Sequence, residues 1–227
     1  MKIASLVSTT VLLGVIAANA PVNAEDNAEL AKRLTDAKAA YQELLSSKDN
    51  DVPQALLKNA RCIAVIPHVV NGAFIYGARG GHGVMTCRDA NGAWSAPSFV
   101  SLKGGSVGPQ IGASTTDIVM FFMTEKGAQS LMTSSKFTLG GEASVAAGPF
   151  GRHGEAATDL KLNAEIYSYA KSKGLYAGLA VDGTRLAAED DDNATFYGKK
   201  VTVKQLLFDH NSPSMPTEAN DFLHALP

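Results

Sequence analysis

Three short stretches combine glycine with cationic side chains in a pattern suited to holding an anion. They are Arg79-Gly80-Gly81-His82-Gly83, Lys103-Gly104-Gly105 and Phe150-Gly151-Arg152-His153-Gly154. Glycine leaves backbone N–H groups exposed, and arginine adds a fork of donors matched to phosphate or carboxylate oxygens. Each stretch alone reads first as a plain hairpin loop. Brought onto one rim, Arg79, His82, Lys103, Arg152 and His153 would together make an anion site. Lys32 and Arg33 extend the set, because they flank Leu30, Leu34, Tyr41, Leu44 and Leu45, which fall on one face at helical spacing. Such a helix has two uses. It can lie on a membrane with its apolar face inserted, or pack that face on the rest of the fold, and packing is the commoner fate.

Other chemistries are less well supported. Gly104-Gly105-Ser106-Val107-Gly108 matches the G-x-S-x-G nucleophile pattern. That pattern works on a strand-to-helix turn, whereas Pro109 and more glycine follow here, so no catalytic residue is assigned. The acidic run Glu189 to Asp192 lacks the spaced oxygen ligands of a calcium loop and reads as a solvated turn. Asn193-Ala194-Thr195 is formally a glycosylation sequon. Cys62 and Cys87 are the only cysteines, and they form either a disulfide or two buried thiols. A bridge closing about 25 residues would contribute about 3.5 kcal/mol in the chain-entropy model. If 62–67, 73–78 and 83–88 were simple meander strands, the cysteines would stand about 20 Å apart. A bridge therefore requires the first and third segments to pair, or the chain to bend between them. Neither a metal nor a cofactor is implied.

The elements that must position these residues begin after a leader. Lys2, a largely apolar run from Ala4 to Ala18, and the small-x-small site Val22-Asn23-Ala24 read as a signal peptide covering 1–24. A single domain, 25–227, is expected to be exported to the periplasm or cell envelope. The formal net charge of −2 argues against nucleic acid as a partner. Periodicity gives a helix over 25–48 and a short one from Pro53 to about Ala60. Strands follow at 63–66, 73–77, 84–88 and 94–102, with turn signals at Asn71-Gly72 and the glycines after Arg79. Further strands are read at 118–123, 160–170, 174–181 and 184–188, the last two joined as a hairpin by Asp182-Gly183. Helices are read near 124–133 and at 203–208, and the tail at 211–227 should be loosely held until Phe222-Leu223. Ser106 to Ile118 is echoed by Ser144 to Leu160, through duplication or similar packing demands. Strands this poor in side-chain volume permit close approach and tight curvature. The expected fold is α+β: a strongly curved antiparallel sheet or partial β-barrel with packed flanking helices.

Ordered blocks then carry a resemblance. Ala60-Arg61-Cys62-Ile63-Ala64-Val65-Ile66-Pro67, Gly81-His82-Gly83-Val84 and Trp94-Ser95-Ala96-Pro97-Ser98-Phe99 are followed by the stretch from Gly104 to Gly112. Phe137-Thr138-Leu139-Gly140, Ala143 to Pro149, Glu165-Ile166-Tyr167-Ser168-Tyr169 and Asn193-Ala194-Thr195-Phe196-Tyr197-Gly198 complete the series. Together they resemble the SYLF domain family over nearly the whole chain after the leader. The resemblance implies a non-enzymatic lipid-binding module. Eukaryotic members recognise phosphoinositides and some associate with actin, while secreted bacterial members belong to the cell envelope. The expected partner is thus an anionic phospholipid or membrane surface. The alternative is a cell-envelope structural or protein-interaction module.

Overall fold

The computed structural model describes residues 26–46, 52–73, 76–107, 112–125, 128, 136–141, 143–149, 164–172, 175–179, 181–209 and 214–227. The proposed leader, most of the helix read near 124–133, the first residues of the strand read at 160–170, Arg152 and His153 lie outside the described residues.

Helix α1 (Asn27–Ser46) begins where the Asp26 carboxylate accepts the Glu29 N–H at 2.9 Å. Its Leu30, Leu34, Tyr41 and Leu44 are fully buried, so the apolar face packs on the protein, and Leu45 sits at the edge, 39% exposed. The short α2 (Gln54–Asn59) follows Pro53. Next come β1 (Cys62–Ala73), β2 (Tyr76–Cys87), β3 (Ser98–Val107), β4 (Gly112–Phe122), β5 (Lys136–Thr138) and β6 (Val145–Ala147). They are followed by β7 (Ile166–Ser172), β8 (Leu175–Gly178), β9 (Thr184–Ala188), α3 (Asp190–Tyr197), α4 (Val203–Leu207) and α5 (Thr217–Leu223). The strands form one sheet in the order β5-β9-β3-β2-β1-β4-β7-β6, with β8 on β7. The sheet is open and strongly curled, a half-barrel flanked by helices, as expected.

Period-two alternation splits the strands between two cores. Ile63, Val65, Val84, Phe99, Val119 and Phe121 face α1. Cys62, Ala64, Ile66, Met85, Leu102, Ile118 and Met120 face the other way, toward Val203 and Leu207 of α4. Tyr169 stacks edge-on against Phe121 at 5.7 Å, carrying the first core to β7.

The largest departure from expectation concerns the glycines. Asn71-Gly72 is no turn but lies inside β1, and Arg79 to Gly83 is no loop but lies inside β2. The cause is a bulge in β1 between Val65 and Val70, where Pro67 ends no strand and His68 adopts a φ of 53°. The bulged backbone presses on β2. A Cβ on Gly83 would collide with the Val65 carbonyl, and one on Gly81 would sit 2.8 Å from Val69 Cγ2. With two long strands in place of three short ones, Cys62 stands directly opposite Cys87 and the two are bonded.

Three smaller corrections follow. β8 and β9 are not a hairpin: Asp182-Gly183 turns, but β8 pairs with β7 and β9 with β3 and β5. The C-terminal segment is not loose throughout, because α5 packs against α1 and buries Ala219 and Phe222. Trp94 forms only a bridge to Arg88, and β3 starts after Pro97, whose missing N–H suits a strand entrance.

Candidate functional site

The N-terminal half of α1 and the bulge of β1 leave a cleft between them. It has a volume of about 470 Å³. Glu29, Lys32, Arg33 and Asp36 of α1 form one wall, and Pro67, His68 and Val70 of β1 form another. Gly80, Gly81 and His82 of β2 make the floor with Lys103 of β3. Four of the residues expected to hold an anion therefore meet here: Lys32, Arg33, His82 and Lys103. Alternation explains the grouping, since Lys103 is the cross-strand partner of Gly80 and points to the α1 side.

Their roles differ. Arg33 is only 6% exposed and bonds the Glu189 carboxylate at 2.7 Å and Asp192 at 3.2 Å, with its guanidinium 5.4 Å from the Phe99 ring centre. It clamps α1 to α3 across the fold. The acidic run is therefore not a solvated turn: Asp192 is buried and Glu189 bridges Arg33 to His82, whose Nδ1 lies 2.6 Å away. Burial pushes the Glu189 carboxyl up, but the hydrogen bond and charge of His82, with Arg33 behind them, outweigh it and hold it below its ordinary value. Lys32 pairs with Asp36 at 2.5 Å. Lys103 is exposed and has no ion-pair partner among the described residues.

Arg79 lies one residue out of phase with Gly80 and His82, on the opposite face of the sheet. It donates to the Asn71 side chain at 2.9 Å, and burial pulls its guanidinium down from the usual range. It does not converge with Lys103. Ser106 lies within β3, so no strand-to-helix turn presents it. Asn193 is fully buried, accepting from the Phe99 N–H at 2.8 Å and donating to Ser98 Oγ at 3.1 Å, so the folded chain offers no acceptor at that sequon.

Sequence reasoning missed two residues. Arg185 of β9 stands directly opposite Lys103, exposed on the same face and without an ion-pair partner among the described residues. Alternation of Thr184, Arg185 and Leu186 marked it as outward-facing, but its neighbour lies 82 positions away. Like charges directly opposite on paired strands repel, and an anion between them relieves the repulsion. His68 is the other, placed in the cleft by the bulge. No cluster among the described residues could hold a metal ion.

A family of proteins described as Ysc84, "Las17-binding protein actin regulator", matches residues 103–227. The chain belongs to that family. This is the SYLF family whose blocks the sequence carries. Similar proteins include LAS seventeen-binding protein 3 of Saccharomyces cerevisiae, 37% identical over 161 residues, which cover 70% of this chain and 35% of that protein. SH3 domain-containing YSC84-like protein 1 of Xenopus laevis is 33% identical over 179 residues, 78% of this chain and 52% of that one. The rat protein of the same name is 32% identical over 178 residues, 78% and 52%. The chain thus spans between about a third and a half of the length of these relatives. The family match takes in Lys103 and Arg185, and Lys32 and His82 precede it.

Proposed function

We propose that this Ysc84-family chain is a binding module for anionic phospholipid head groups, acting at a membrane surface and without catalysis. The observation that carries the reading is the pair Lys103 and Arg185. They are two exposed, directly opposed cations with no acidic partner among the described residues; Lys103 lines a cleft that also holds Lys32 and His82, and Arg185 stands beside it on the neighbouring strand. A phosphate bridging two such cations gains charge-assisted hydrogen bonds from both. The small-residue floor at Gly80 and Gly81 lets a head group approach the sheet closely. Export to the periplasm or cell envelope is part of the proposal, supported by the Lys2-initiated apolar leader and by the cysteine pair.

Co-sedimentation with phosphatidylglycerol and phosphatidylcholine vesicles at low and high salt tests it. Binding to the anionic vesicles alone, weakened by salt and reduced about fivefold or more by Lys103→Ala with Arg185→Ala, supports the reading. Indifference to every vesicle at low salt overturns it. The alternative is then a cell-envelope structural or protein-interaction module, a reading supported by relatives named for Las17 binding and by Val70, 55% exposed on the same open face.

A further inference from the structure

The proposed head-group site carries cations at Lys103 and Arg185 that are unpaired among the described residues, but the cleft beside them is rich in carboxylates. From α1, the cleft is faced by Glu29, Lys32, Arg33 and Asp36. Lys103 faces it from β3, and Asp117 of β4 reaches His68 from below. Glu189 and Asp192 approach from the start of α3 through Arg33 and His82. Three fixed cations therefore meet five carboxylates. Arg33 is occupied by Glu189 and Asp192, and Lys32 by Asp36. Lys103, with Arg185 beside it, keeps no carboxylate partner among the described residues, while Glu29 lines the cleft and Asp117 lies on His68.

Two imidazoles complete the ring of charges. His68 is held in the left-handed region, φ 53°, which non-glycine residues seldom adopt. Asp117 fixes that conformation by accepting the His68 N–H at 2.9 Å. The ring is thereby poised between two carboxylates, Nε2 3.6 Å from Asp36 and Nδ1 3.6 Å from Asp117. His82 stands across the cleft on Glu189. Both side chains are well exposed to the cleft, at 63% and 47%. Backbone strain is kept where the surrounding structure over-determines it, and here it places a titratable ring at the mouth of a cleft.

We propose that the cleft is an acid-gated anion site, in which protonated His68 and His82 supply the charge that lets a phosphate head group enter. The inference rests on the head-group reading above and adds its regulation. Imidazole is the side chain whose charge can change within the pH range a cell compartment traverses. With both rings neutral, the carboxylates dominate the mouth. With both protonated, Asp36, Asp117 and Glu189 become internal counter-ions, and Lys32 is released from Asp36 to join Lys103 in facing the ligand.

The test is the affinity of the full chain for phosphatidylglycerol-containing vesicles at about pH 5.5 and about pH 7.5 at constant ionic strength. Each added cation near an anionic surface is worth about fivefold, so two should raise affinity on acidification by about 10- to 25-fold. The readout is that ratio between the two pH values. In the His68→Asn, His82→Gln double variant the ratio should fall below about 2-fold. Asparagine is chosen at 68 because it tolerates the left-handed conformation, and thermal melts confirm that the variant folds. A pH-independent affinity that still depends on Lys103 and Arg185 overturns the gating and leaves the site. An acid rise that survives in the double variant also overturns it, by assigning the effect to the carboxylates. Absence of binding at both pH values removes the site and the gating together.

Discussion

Replacing Arg33 with methionine should cost the fold about 4 kcal/mol, because removing one partner of a buried ion pair strands the other. Here two carboxylates lose Arg33: Glu189, which keeps its contact with His82, and Asp192. Glu189 and Asp192 keep side-chain exposures of only 16% and 10%, so solvent recovers little of the lost interaction. The contact with the Phe99 ring, about 1 kcal/mol, goes as well, while methionine retains the apolar stem. With a urea dependence of about 2 kcal/mol per molar, the unfolding midpoint should fall by about 2 M. Circular dichroism across a urea series reads it directly. The triple variant Arg33→Met, Glu189→Gln, Asp192→Asn removes the two carboxylate charges that faced Arg33 and should recover about half of the loss. A midpoint shift below about 0.5 M for Arg33→Met would show that the clamp between α1 and α3 is not what holds the helix down.

Other perturbations separate the remaining claims. Replacing Cys62 and Cys87 with alanine opens a loop with a sequence separation of 25 and should cost about 3.5 kcal/mol, read from the same urea series with and without reductant. Gly83→Ala drives a methyl into the Val65 carbonyl and should cost about 3 kcal/mol, whereas Gly72→Ala, with nothing within 4 Å, should stay within about 0.5 kcal/mol. Equal effects would refute the account of the bulge. The Glu189 carboxyl is held below its ordinary value, so it contributes stability above about pH 4.5 that is lost as pH falls through its depressed value. Glu189→Gln should therefore flatten the acid limb of a stability-against-pH curve, and an unchanged limb would contradict the His82–Glu189–Arg33 relay.

The parts of this structure that were legible in the sequence are those set by short-range periodicity. α1 was visible because Leu30, Leu34, Tyr41 and Leu44 recur at helical spacing, and β9 because the Asp182-Gly183 turn signal precedes it. The half-barrel followed from strands poor in side-chain volume. β1 and β2 were cut too short because a glycine under a bulge and a glycine in a loop look alike in sequence. Only the register, with Gly81 and Gly83 beneath Ile66 and Val69, tells them apart. The cysteine pair gave a partial clue, since a bridge demanded that the segments holding Cys62 and Cys87 be antiparallel neighbours, as they are. The site was half visible. Lys32, His82 and Lys103 were picked out by residue type, but Arg33 was assigned to the surface because its partner Glu189 lies 156 positions away. Arg185 was missed for the same reason: the Lys103–Arg185 rung is a long-range pairing that composition does not encode.

The central claim, that the cleft and the Lys103–Arg185 pair receive an anionic head group, is tested most directly by amide chemical-shift mapping during titration with a short-chain phosphatidylglycerol. The account predicts saturable shifts concentrated at Lys32, His68, Gly80 to His82, Lys103 and Arg185, absent with the matching phosphatidylcholine. Shifts confined to other surfaces, or equal for both lipids, would contradict it.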